Sequence, residues 1–170
     1  FLGETRMCAA KSAVVIAPSQ RTPTGSDSSS SVNRTTDTGD GEQDVEVICC
    51  SSTEQLMALL PACEKLAAEA IEPNVFYEPW MLLPALRHFS NEKPEILIVR
   101  RRDRPGELLG MFPVRIGAHH RLLHLAAMWQ HPHCYLTTPL IAPDGRVICW
   151  RAIARWLEEN RQVHLLEMSR

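Results

Sequence analysis

The stretch PEILIVRRRDRPGELLGMFPVRIG, residues 94–117, constrains this chain more than any other. Two aliphatic runs, EILIVR and LLGMFPVRI, stand on either side of RDRPGE, whose Pro-Gly step is a turn signal. Strands joined by so short a turn lie antiparallel, because a parallel neighbour needs a long crossover. The chain therefore builds its sheet from a central hairpin rather than from a repeated strand–helix–strand unit.

Helical patterns surround that hairpin. DVEVICC, residues 44–50, places Val45, Val47 and Cys49 in alternation with Glu46, Ile48 and Cys50, as a strand does. Ser51 and Glu54 then have capping-box spacing. Leu56, Leu59, Leu60, Cys63, Ala67 and Ala70 follow at helical spacing, with Pro61 expected to kink or delay the helix. Pro73 and Asn74 mark a loop. Pro79 suits the first turn of a second helix, where a missing N–H costs little. Leu82, Leu83, Leu86 and Phe89 are its expected core face, and Pro84 is a further kink. After the hairpin, RLLHLAAMWQ fits either a strand or a short helix, and TTPLIAPDG reads as a loop turning at Pro143–Gly145. VICWRAIARWLEEN is amphipathic, with Val147, Trp150, Ile153, Ala154 and Leu157 on one stripe. RQVHLLEMSR ends the chain as a strand. Consecutive strands flanked by helices define an α+β fold: a mixed, mostly antiparallel sheet with helices packed on it.

Residues 18–44 differ in kind. Ser, Thr, Asp, Gly and Pro dominate, and Val32 is the only aliphatic residue. Such a segment cannot bury enough apolar surface to offset its ordering entropy. The reading is a disordered leader over 1–44 and one folded domain over 45–170. The apolar core Ala13–Ala17 is shorter than the ~7–15 residues of a signal-peptide core. Residue 1 is not Met, so the expectation is a fragment or a start at Met7.

Charge narrows the function. Residues 1–44 carry the whole net −2, and the remainder is balanced. A neutral folded part lacks the basic footprint of a nucleic-acid binder. No apolar run approaches the ~20 residues of a membrane-spanning helix. The six cysteines show no CxxC, which fits reduced, mostly buried thiols and a cytoplasmic location.

The densest cluster of chemically capable residues is MWQHPHCYLTTPL, residues 128–140. His131 and His133 would share one face of a strand and could ligate a metal. Zinc needs at least three protein ligands, and no spacing selects a third among His119, His120, His124 and His164. Cys134 with a neighbouring His could form a nucleophilic pair, although adjacent residues seldom reach each other. The third reading is a strand end and loop. Arg100–Arg104 could hold a phosphate or form a solvated turn. Trp150 and Trp156 read as helix packing. Tyr77 and Trp80 stand where a loop enters a helix, a position that often lines a cleft. Glycine-rich phosphate loops and the GxSxG elbow are absent.

Taken together, the aromatic FYEP-W before a Leu-rich helix, the LLG-FP-R strand and the W--HP----TPL loop resemble the GNAT-type acetyltransferases of the CelD-like group. That bacterial group is linked to cellulose biosynthesis and related to the FemAB-like amino-acyl transferases. The likeness runs from about residue 45 to the end. It implies a fold of two GNAT-like halves, of which this chain matches the amino-terminal one. The acyl-CoA site would lie in a carboxy-terminal half. None of the eight glycines here has the Gln or Arg three residues earlier that a GNAT pyrophosphate loop requires. The resemblance implies transfer of an acyl group from acetyl-CoA to an amine or hydroxyl of a small molecule or saccharide. The chain itself would bind no cofactor and no metal. Its partner would be the missing half. Tyr77, Trp80, Trp129, His131 and Tyr135 become candidates for the acceptor cleft, and the catalytic residues are left unassigned. The alternative is a non-catalytic binding or scaffold domain of the same half-fold.

Overall fold

The computed structural model describes residues 11–15, 44–89, 94–119 and 123–169. The central hairpin is present. Strand β3, Glu95–Arg101, pairs antiparallel with β4, Leu108–His119, from Glu95↔Val114 to Arg100↔Leu108, with a register shift at Val99/Arg100. Carboxylates surround the arginines of this region. Arg100 Nε donates to Glu46 at 2.7 Å, Arg101 meets Asp144 at 2.7 Å, and Arg104 meets Glu107 at 2.9 Å. With that company the cluster forms an ion-paired turn rather than a phosphate grip.

Among the described residues, seven strands form one sheet. Its order is β1-β7-β5-β4-β3-β2, with β6 paired to β4 beside that path. Strand β1 is Lys11–Val15, β2 Val45–Cys50, β5 Leu123–Met128, β6 Leu140–Ile141 and β7 Leu165–Ser169. All pairings are antiparallel except β5 with β7. That parallel pair is joined through helix α4, Arg146–Arg161, which supplies the long crossover a parallel neighbour requires. The stretch that fitted strand or helix is thus strand β5. The loop reading of 137–145 gains a two-residue strand and a 3-10 turn at Pro143–Gly145. Lys11–Val15, within the stretch read as leader, pairs with β7; the leader reading of 16–43 lies outside the described residues, as do Met7, Cys8 and His120.

Both faces of the hairpin are covered, since four consecutive residues, Ile96, Leu97, Ile98 and Val99, are all buried. Leu97 is paired with Phe112, whose ring meets Trp150 of α4 edge-on at 5.2 Å. Ile96 faces the other way, towards Leu86 of helix α3, Pro79–His88. Helix α4 buries Cys149, Ile153 and Leu157, each four residues on from the last. The expected stripe is therefore rotated: Val147 is 55% exposed and Cys149 takes the core position. A Cβ on Gly145 would lie 2.7 Å from the carbonyl of Leu109, so glycine allows the start of α4 to press on β4.

On the opposite face, Pro61 divides the first helical run. Helix α1, Thr53–Ala58, ends at Leu59, and α2, Leu60–Glu69, begins there with proline in its first turn. The capping box exists one residue later than expected. Ser52 and Gln55 form it, not Ser51 and Glu54. Helix α3, Pro79–His88, carries Pro84 internally and buries Leu82 and Ala85, while Phe89 at its end is 41% exposed rather than core.

Candidate functional site

Strand β4 determines where residues 129–139 lie. Met128 pairs with Val114, and the Trp129 amide donates to the Pro113 carbonyl at 2.8 Å. The chain then leaves the sheet and returns when Leu140 pairs with Met111. Both ends of the excursion are thus held on one strand, two residues apart, as in an Ω-loop. Its interior backbone has no sheet to bond with and must find partners elsewhere.

The segment before α3 supplies them. Asn74 is fully buried, and its Nδ2 donates to the carbonyls of Leu136 at 3.1 Å and Thr138 at 2.7 Å. Its Oδ1 accepts from the Phe76 amide at 3.1 Å. Tyr77, also fully buried, donates its hydroxyl to the Trp129 carbonyl at 2.7 Å. Burial pushes that phenol well above its ordinary pKa, so it remains a donor. Within the loop, the Cys134 amide donates to the His131 carbonyl at 2.8 Å, and the Cys134 thiol to that of Leu136 at 3.0 Å.

His131 sits at the centre with 5% exposure. Its ring stacks on Phe89 at 5.1 Å and 3°, tilts against Trp129 at 5.3 Å, and meets Phe76 edge-on at 6.4 Å. The His133 amide donates to His131 Nδ1 at 3.2 Å. Burial first, then the neighbouring His133, lowers the His131 pKa, so the ring is neutral. In a neutral imidazole whose Nδ1 accepts, the proton belongs to Nε2. That Nε2 is buried and has no partner. A buried donor left unpaired costs about 1–3 kcal/mol. Nε2 therefore has a proton to give and no lone pair to accept with, which is a donor's role and not a general base's.

The five residues singled out from sequence are therefore divided. Trp129 and His131 are in contact, with Tyr77 bonded beneath them. Tyr135, 72% exposed, reaches the group through Phe76 at 5.9 Å. Trp80 stands apart, 63% exposed, with Nε1 donating to Glu78 at 2.7 Å. Asn74, Phe76 and Phe89 belong to the arrangement and were not singled out; the Asn before a turn was the one signal for the first. A cavity of about 190 Å³ between the start of α1 and α3 holds none of these residues.

Among the described residues, no three His, Cys, Asp or Glu side chains converge as a metal site. Cys134 donates to a carbonyl rather than to an imidazole, and burial raises its pKa, the reverse of an activated thiol. The five described cysteines are free, and four are buried. No described helix is long and apolar enough to cross a membrane. Compared with known protein families, with curated proteins and with solved structures, the chain matches none.

Proposed function

We propose that this chain is the amino-terminal half of an N- or O-acyltransferase of the CelD-like kind, one that takes its acyl group from acetyl-CoA. Its part is to form one wall of the acceptor cleft. The observation that supports this is the seam between α3 and the 129–139 loop, where Phe76, Phe89, His131 and Tyr135 place aromatic surface and one unspent donor side by side. The mostly antiparallel sheet with helices on both faces is compatible with such a half. In this reading, acyl-CoA and the catalytic base come from a carboxy-terminal half, the protein is cytoplasmic, and the acceptor is a small molecule or a saccharide.

The coding sequence beyond Arg170 tests the proposal. The expected result is a following half with a GNAT pyrophosphate loop, and micromolar acetyl-CoA binding by calorimetry once both halves are expressed together. A stop codon with no such half in any frame, or a joined protein that ignores acetyl-CoA, sinks it and leaves the non-catalytic binding domain.

A further inference from the structure

We infer that His131 Nε2–H is the docking point for an uncharged alcohol oxygen on a ring-shaped ligand, seated against Phe89 and Phe76. The inference deepens the reading above, on which it rests, by naming the acceptor class. Three observations carry it. The His133 amide occupies Nδ1, so the tautomer is fixed and Nε2 can only donate. Nε2 is buried without a partner, whereas the buried side chains of Asn74 and Tyr77 nearby are bonded to backbone. The surroundings are aromatic rings, which favour an apolar ring face and oppose a charge taken out of water.

The two charged head groups fail on chemistry. An ammonium has no lone pair to accept with and would present its protons to another donor. A carboxylate could accept, but a neutral imidazole among aromatic rings offers it no counter-charge. A hydroxyl accepts from Nε2–H and still has a second lone pair and a proton to give, so it remains able to act as an acyl acceptor. His131 is then a positioning residue: it holds the oxygen and does not deprotonate it. Phe89 is the neighbouring ring with room to yield, being 41% exposed at the end of α3.

The test uses the 170-residue chain and one ring with three head groups: cyclohexanol, cyclohexylammonium and cyclohexanecarboxylate. The His131 Nε2–H resonance is followed by ¹⁵N NMR. Cyclohexanol should give a saturable shift, with ring-to-ring NOEs to Phe89, and the two ions should bind at least about tenfold more weakly. His131→Gln, whose amide nitrogen replaces Nε2, should retain binding. His131→Asn replaces only Nδ1 and should lose it about tenfold or more. A purely structural role predicts the reverse, with Asn the better replacement.

The inference is overturned by no saturable shift up to about 100 mM, by an ion that matches the alcohol, or by an Asn variant that binds like the parent. It is equally overturned if N-methylacetamide, a stand-in for a peptide group, shifts the same signals at lower concentration; that result assigns the face to a protein partner. No acyl-CoA enters the experiment. A negative result therefore removes the alcohol site alone, and binding without transfer in the joined protein removes the acyltransferase reading alone.

Discussion

At the scale of single residues, His131 makes stability depend on pH. Its pKa is lowered in the folded state, so the unfolded chain binds more protons once the pH falls below about 6.5. Stability then rises with pH through that window: it is complete above the unfolded value and lost as pH drops towards the folded one. Thermal melts between about pH 7.5 and 5.5 should show the midpoint falling on acidification, and the fall should be shallower in His131→Gln. An identical slope in the variant would assign the effect to other groups. The thiols respond in the opposite range. Burial pushes Cys63 and Cys149 up to about 12, so alkylating reagents at neutral pH should reach half-buried Cys49 well before either of them.

At the scale of elements, the two ends of α4 pull in different directions. Gln162 closes the helix at φ 53, a left-handed conformation that glycine adopts without strain. Its amide and that of Val163 satisfy the carbonyls of Glu158 and Leu157. Gln162→Gly should therefore stabilise the protein by about 0.5–1 kcal/mol in urea titration, and a loss would contradict the strain. Gly145, at the other end, needs glycine for room. Gly145→Ala brings a methyl against a backbone carbonyl that cannot swing aside, and a cost of about 1–3 kcal/mol is expected.

The elements also separate what was legible from what was not. The β3–β4 hairpin could be read because aliphatic runs and a Pro-Gly turn are local signals. The cap shifted by one residue because Ser51 and Ser52, with Glu54 and Gln55, offer two equivalent boxes. The α4 stripe rotated because Cys149 counts as a small hydrophobe in the core, and its close approach to Gly110 and Gly145 reveals it. Strand β5 carries no clear period. In the site, His131 and Trp129 were visible as an unusual local cluster. Asn74 was not, because its partners lie 62 and 64 residues away in sequence.

At the scale of the whole molecule, the hairpin and the loop are secured by different means, so they should fail separately. Ile96–Val99 and Leu109–Val114 sit in the sheet with both faces covered, and their backbone amides should open only with the fold, Pro113 having none. Residues 129–139 are pinned at two points on β4 and are held between them by Asn74 and Tyr77. Asn74→Ala removes three hydrogen bonds at once; it leaves the Thr138 carbonyl and the Phe76 amide unpaired and the Leu136 carbonyl with the Cys134 thiol alone, and about 2–4 kcal/mol should be lost locally. Native-state hydrogen exchange should then show the amides of His133 and Cys134 exchanging at least about tenfold faster, while those of β3 change little. The His131 Nε2–H signal should be lost in the same variant, because His131 and the His133 amide that occupies its Nδ1 both lie in that loop. If protection falls equally in β3 and in the loop, the loop is part of the global folding unit. A site built on it would then lack the independent motion that a ligand needs to displace Phe89.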